Sequence, residues 1–513
     1  MLLRQLLHGL ERISLRGSTE ADVLCICCDS RAVTAGALFV CLSGQHRDGA
    51  DFALQAVAQG AVAVVCERPL RLPPEVAVIR VANARRAMAW LSVRLYGEPA
   101  RRMTMIGITG TKGKTVTAHL AAATLTAAGR RVGLLGTNGA CWSGHRHDLA
   151  HTTPESCDLQ RLLYQMAQDG CDTCVMEVSS LGLKMERVTG IYFDIGIFTN
   201  LTPDHISPEE HASFAEYRAW KSVLFRRCAT GIVNADDPHC EEILANHSCK
   251  VVRYGITHEA DWRALPPFRL LRQPDALGVA FYAAAPDGTA REYTVHLPGR
   301  FSVYNALAAL SMADVLHLPA GAAAAGLQTA AVRGRCEVLP LHAPYTVVLD
   351  YAHNAASAAG LLTTLRGYAP KRLVAVFGCG GQRSRLRRFG MGEVCAKLAD
   401  LCILTEDNSR DEPLENILAD IKAGLRKGNP DTPYREIPDR RAALYYALDH
   451  AQPGDMIAVL GKGHETFLER AGERLPFDER EIILNKAATN IALSGRGMPR
   501  PRLCGCSNIT GHS

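Results

Sequence analysis

Apolar and polar positions along this chain follow two periods, and the switches between them predict its architecture. Met105-Ile106-Gly107-Ile108-Thr109 is a short apolar run rich in β-branched residues, the mark of a buried strand, and a helical pattern follows from Val116 through Ala127. Strand-like runs recur over 131–137, 173–178, 191–199 and 230–234, with a helical pattern at 159–168 between them. This alternation predicts an α/β fold whose mostly parallel sheet is covered by helices, with ligands at the carboxyl ends of its strands. Upstream, apolar segments at 36–42 and 60–65 flank a helical pattern at 52–59, a small α/β unit closed by Tyr96-Gly97-Glu98-Pro99. Shorter strands and turns are predicted over 252–300 and an alanine-rich helix at 305–316. A second doubly wound unit starts near 336, with strands at 346–350, 373–378, 401–405 and 456–461 and a helix at 357–367. No internal repeat is visible, and the tail from 494 has the composition of a disordered segment.

Composition narrows the function classes. The 513 residues exceed one compact core, and 47% hydrophobic with 21% charged residues is ordinary for a soluble protein. A net charge of +5 with interspersed signs leaves no nucleic-acid footprint, and the one dense basic cluster, Arg383 to Arg388, fits a solvated loop as well as an anion site. No apolar run is long enough to span a membrane and no signal peptide is evident, so a cytoplasmic protein is expected. The 18 cysteines are scattered, often inside apolar runs, and read as buried thiols; Cys25/Cys27/Cys28, Cys171/Cys174 and Cys504/Cys506 do not combine into a zinc pattern.

The candidate chemistry begins at Gly110-Thr111-Lys112-Gly113-Lys114-Thr115, a glycine-broken turn between strand and helix. That context suits a phosphate-binding loop: glycines let backbone N–H groups converge on phosphate oxygens, Lys114 supplies a cation, and the Thr115 hydroxyl suits Mg²⁺. The spacing is irregular, because Ile108 stands where the usual loop has its first glycine. Glu177, at the end of a buried strand, suits the same cation, although a lone strand-end glutamate is more often a cap or a surface acid. Asn200, Asp204 and His205 end the next strand.

An ordered series of short motifs then becomes specific. Gly110–Thr115, Glu177-Val-Ser-Ser180, Thr199-Asn-Leu-x-x-Asp-His205, Val233-Asn-Ala-Asp-Asp-Pro238, Leu297-Pro-Gly-Arg-Phe-x-x-x-Asn305, Gly334-Arg-x-Glu337, Leu349-Asp-Tyr-Ala-His353 and Gly461-Lys-Gly-His-Glu465 follow one another. The series, from about residue 28 to about 482, resembles the Mur ligase family of peptidoglycan synthesis, above all its tripeptide synthetases. The resemblance implies three domains: 1–100 for the UDP end of the substrate, 101–335 for ATP, and 336–493 for the incoming amino acid, with a tail at 494–513. It implies a monomeric ligase using ATP and Mg²⁺ that joins meso-diaminopimelate to UDP-N-acetylmuramoyl-L-Ala-D-Glu through an acyl phosphate.

By the same resemblance, Gly110 to Thr115, Asn305, Arg335 and Asp350 contact ATP, while Ser30, Thr152, Thr153, Ser179 and Arg187 hold the UDP-linked substrate. Thr115 and Glu177 hold one Mg²⁺ and Glu177, His205 and Lys221 serve a second, and Lys114, Glu177, His205 and Lys221 carry the catalysis. Lys221 matches the family's carbamylated lysine (N6-carboxylysine); without the resemblance it is a solvated helical lysine. Arg383, Asp407, Asn408, Arg410, Gly461 and Glu465 match amino-acid-binding positions, and the Arg410 fork suits the distal carboxylate that diaminopimelate has and lysine lacks. The chain departs from the family pattern at Ser302, Ala355, Gln382, Ser384 and Ser409. The alternatives are ligation of L-lysine or another amino acid, a folylpolyglutamate-synthase-like ligase, and a scaffold that binds nucleotide without turnover.

Overall fold

The strand Thr104–Thr109 is flanked by Thr173–Glu177 on one side and Phe193–Phe198 on the other, all three parallel. Val132–Gly136, Cys228–Asn234, Lys250–Gly255 and then Trp262–Gln273 extend the parallel pairing outward, and antiparallel pairs at both edges complete an eleven-stranded sheet. Burial on both faces explains the continuous apolar runs. Ile106, Ile108, Val175, Ile195 and Ile197 pack under the helices Lys114–Ala127, Arg300–Val315 and Ala320–Thr329. Met105, Cys174, Met176 and Phe193 face the helix Ser156–Gln168.

The computed structural model describes residues 1–493 except 45, 46, 205, 208, 209 and 274, so His205 and the tail from 494 lie outside the described residues. The chain forms two compact units, one of Met1–Leu270 with Gly278–Val332 and one of Leu271–Leu277 with the chain from Arg333 onward. The first unit also carries a five-stranded N-terminal sheet in the order Ser14–Arg16, Ala77–Arg80, Ala61–Cys66, Ala37–Val40, Cys25–Cys27.

The expectation of short strands over 252–300 is corrected: Trp262–Gln273 spans 12 residues and Ala276–Ala284 spans 9. Pro266 and Pro267 fall inside the first of these strands, where pairing with Lys250–Gly255 stops at Arg263, so neither proline takes a ladder position on that side.

The second unit has six strands in the order Glu337–Val338, Thr346–Asp350, Met456–Leu460, Leu373–Phe377, Leu401–Leu404, Tyr434–Glu436, parallel except at the first pair. The carboxyl ends of its inner strands are braced by Arg440, which is fully buried and donates to Glu406 O (2.8 Å), Leu460 O (2.7 Å) and Glu479 Oε1 (2.6 Å). Arg440→Met should strand the buried Glu479 carboxylate and cost about 3–5 kcal/mol. Denaturant unfolding measures this, and a loss under about 1 kcal/mol, the value of a surface pair, would contradict it.

All cysteines among the described residues are free thiols and most are buried, as the apolar runs predicted. Burial pushes the Cys41 and Cys402 thiols up to about 12.

Candidate active site

Because the three central strands are parallel and adjacent, their polar ends meet. Register pairs Ile197 and Glu177 with Ile108, so Glu177–Ser180, Thr199–Asn200 and Gly110–Thr115 leave the sheet together. Thr199 and Asn200 clamp the glycine loop. The Thr199 hydroxyl donates to Lys112 O (2.6 Å), Asn200 Nδ2 donates to the same carbonyl (2.9 Å), and Asn200 Oδ1 accepts from Lys112 N–H (3.0 Å). Gly110 has a positive φ of 149°, and a Cβ there would lie 1.9 Å from Thr199 Oγ1, so only glycine fits.

Two lysines converge on this loop. Lys114 Nζ donates to Gly110 O (2.9 Å) and Thr111 O (3.0 Å). Lys221, on the helix Phe214–Ser222, is buried and donates to the same Gly110 carbonyl at 2.8 Å, with its Nζ 4.5 Å from the Tyr217 ring centroid. Burial, reinforced by the Lys114 charge, holds the Lys221 amine well below the ordinary lysine range. The predicted solvated lysine is an interior one.

Glu177 is 1% exposed, and its carboxylate accepts from Thr137 N–H (2.8 Å) and the Thr137 hydroxyl (3.2 Å). Among the described residues it has no ion-pair partner, and its carboxyl group is held in the interior by a threonine. The Thr137 hydroxyl also meets Thr152 Oγ1 (3.1 Å), and Thr153 Oγ1 bonds Glu177 O (3.0 Å) and Ser179 Oγ (3.1 Å). Arg187 donates to Thr153 O (3.1 Å) and twice to Glu155 Oε1 (2.8 and 3.1 Å). Thr152, Thr153, Ser179 and Arg187 therefore form one cluster beside Glu177. Ser30 stands in the N-terminal sheet region, bonded to Gln55 Oε1 (3.4 Å).

Asn305 joins the loop from the helix Arg300–Val315: its Oδ1 accepts from the Thr117 hydroxyl (3.2 Å) and a Cβ on Gly113 would lie 2.7 Å from it. Ser302, where the family has another asparagine, turns its hydroxyl onto Pro298 O (2.7 Å).

Arg335 and Asp350 belong to the second unit. The Arg335 guanidinium lies 4.8 Å from the Tyr351 ring centroid, and its Nε is buried without a hydrogen-bond partner among the described residues. Asp350 accepts from Cys336 N–H and Ala352 N–H, both at 2.7 Å. Three loops leave neighbouring parallel strands of that unit. Gly381 N–H donates to Asn408 O (2.8 Å), and Arg410 donates to Gly381 O (2.7 Å) and pairs with Glu469 (3.2 Å). Asn408 Nδ2 donates to Glu465 Oε2 (2.9 Å), and Gly461 packs against Asp407. Arg383 is exposed, whereas Arg388 of the same basic cluster is buried in a two-pronged pair with Glu412 (2.6 Å).

Sequence reasoning missed Thr137, Tyr217, His211 and Lys462. Thr137 had a signal, since it ends an apolar run as the recognised residues do. Tyr217 Oη lies 3.1 Å from Thr111 Oγ1, and His211 is buried with Nε2 2.9 Å from Ser180 Oγ, its pKa held down first by burial and then by Lys184. No local pattern marks either.

Three family models match: Mur ligase family, catalytic domain over 22–96; Mur ligase middle domain over 108–313; and Mur ligase, glutamate ligase domain over 334–463. The chain is 39% identical over 484 residues to the UDP-N-acetylmuramoyl-L-alanyl-D-glutamate--2,6-diaminopimelate ligase of Caldanaerobacter subterraneus subsp. tengcongensis, covering 94% of this chain and 98% of that one. The chain belongs to the Mur ligase family. As a member it is an ATP-dependent acid–amino-acid ligase. The ligase of the same description from Geobacillus thermodenitrificans is 38% identical over 493 residues, covering 94% of this chain and 98% of the relative. A solved structure of a ligase of that description superposes with a TM-score of 0.67 at 28% identity, covering 96% of this chain and 99% of that one. At 16% identity, the fold is shared with MurF ligase from Thermotoga maritima in complex with ADP, TM-score 0.61, over 92% of this chain and 98% of that one. Among the described residues no helix is long and apolar enough to cross a membrane.

Proposed function

We propose that this protein, acting in the cytoplasm, joins meso-diaminopimelate to UDP-N-acetylmuramoyl-L-Ala-D-Glu at the expense of ATP. The observation that carries this reading is the 39% identity, over 94% of the chain, to a ligase described by that reaction. Domains at 1–100, 101–335 and 336–493 would bring the UDP-linked acceptor, ATP and amino acid respectively.

The acceptor carboxylate attacks the γ-phosphorus of ATP, giving an acyl phosphate and ADP, and the amine of the amino acid then displaces phosphate from the acyl carbon. Two anions must meet in the first step, so its barrier is largely electrostatic. Lys114 and the loop N–H groups neutralise the phosphates, Asn305, whose carboxamide lies beside Gly113, would contact the nucleotide, and Arg335 would add its guanidinium. Arg187 and the Thr152/Thr153/Ser179 cluster orient the acceptor.

The donor set fits a divalent cation, because Glu177 is a buried carboxylate with no ionic partner among the described residues. Thr115 and Glu177 would hold one Mg²⁺, and Glu177, His205 and a carbamylated Lys221 a second; when bound the cations lower the charge on the phosphates. The depressed basicity of Lys221 supports carbamylation, since only a neutral amine adds CO₂, giving a carbamate and a proton.

Arg410, Asn408 and Glu465 support diaminopimelate as the amino acid, with Arg383 as the α-carboxylate contact and Asp407 and Gly461 shaping the pocket. Phosphate release with meso-diaminopimelate against L-lysine tests this. Turnover with diaminopimelate should exceed that with lysine by about 10²-fold or more in kcat/KM. Arg410→Ala should cut the diaminopimelate value by about 10²-fold and leave the lysine value much less affected. Preference of the unaltered enzyme for lysine would overturn the assignment.

A further inference from the structure

Lys462 is fully buried in the second unit, and the reading above gives it no role. Its ammonium donates to Asn408 Oδ1 (2.9 Å) and Glu465 Oε2 (3.0 Å), lies 3.7 Å from Asp407 Oδ1, and sits 5.5 Å from the Phe467 ring centroid. Three of the proposed amino-acid-binding side chains thus gather on one interior cation.

We propose that Lys462 is a positioning residue for amino-acid selection, fixing the Asn408 carboxamide and the Glu465 carboxylate in the one arrangement that admits diaminopimelate. This rests on the substrate reading above. The donors dictate the arrangement. Asn408 Oδ1 accepts from both Lys462 Nζ and Glu469 N–H (2.9 Å), so a flipped carboxamide would set its NH₂ against two donors. The unflipped NH₂ then points to Glu465 Oε2 (2.9 Å). That oxygen takes two donors, while among the described residues Oε1 carries only a 3.4 Å contact from Tyr351 Oη and is left to accept from a substrate ammonium. Asn408 O also accepts from Gly381 N–H, so fixing Asn408 holds the backbone that carries Arg410 against the 378–384 loop. A neutral side chain at 462 would leave Asn408 Oδ1 with one donor and Glu465 without its cation, freeing both to rotate.

The test is steady-state phosphate release by the full chain, unaltered and as Lys462→Met, with meso-diaminopimelate, L-lysine and ATP varied in turn. Lys462→Met should raise KM for diaminopimelate by about 10-fold or more, keep KM for ATP within about twofold, and narrow the preference over lysine. In an Asn408→Ala background the same substitution should have a much smaller effect, because Lys462 acts through Asn408. A purely structural lysine would shift both KM values together, keep the preference, and add to Asn408→Ala; any of these overturns the proposal. If Lys462→Met does not fold, Lys462→Arg carries the test, since its planar fork cannot reproduce a point ammonium. A raised diaminopimelate KM with a narrowed preference supports the proposal, and values equal to those of the unaltered enzyme overturn it. An unaltered enzyme inactive with diaminopimelate overturns the substrate reading instead, so the two failures are distinguishable.

Discussion

Lys221→Ala should lower phosphate release by about 10²–10³-fold or more, with part of the loss restored by added formate. The expectation follows from where the amine sits. Lys221 is 1% exposed, and its Nζ shares the Gly110 carbonyl with Lys114. Two ammonium groups on one carbonyl oxygen repel, and burial penalises the charged form further, so the neutral amine is favoured. Addition of CO₂ turns that amine into an anion beside Lys114, reversing the sign of its contribution to the loop. Alanine removes the anion and leaves space that a small carboxylate fills. Intact-mass measurement under bicarbonate should add one CO₂ to the unaltered chain and none at this position in the variant. Full activity in Lys221→Ala would remove this lysine from the mechanism. Lost activity that no carboxylate restores would limit its role to packing against Tyr217.

Lys114→Ala should abolish turnover, by about 10³-fold or more, while leaving the fold intact. The Lys114 ammonium donates to two carbonyls of its own loop, Gly110 and Thr111, contacts that tie it to local backbone, and unfolding is expected to shift by no more than about 1 kcal/mol. The catalytic cost is larger because the ammonium is the fixed cation of a loop built to approach phosphates, and the transition state gathers charge there. Turnover assays paired with thermal unfolding measure both quantities. Unchanged turnover would take the glycine loop out of the chemistry, and a parallel loss of stability would recast Lys114 as structural.

Much of this was legible along the chain because it is local. A β-branched run, a glycine turn and a helical pattern sit within some twenty residues at 105–127, and their chemistry does not depend on distant contacts. The alternation of strand and helix likewise announced parallel sheets, since a run buried on both faces is apolar throughout. The pattern failed at 262–273, where one strand of 12 residues stands in place of the shorter strands and turns expected.

Other features are properties of the fold alone. Lys221 lies 111 residues from the carbonyl it contacts, and on its own helix nothing separates it from a solvated lysine. Thr137 reaches Glu177 only because Val132–Gly136 lies beside Thr173–Glu177, and Lys462 finds Asn408 across 54 residues through the order of the second sheet. By itself the sequence determined the elements, the glycine loop and the ordered motifs of a Mur ligase, because propensity, turn chemistry and patterning act over a few residues. Only the tertiary structure decided which side chains share an interior, because burial and charge are set by strands brought together from distant parts of the chain.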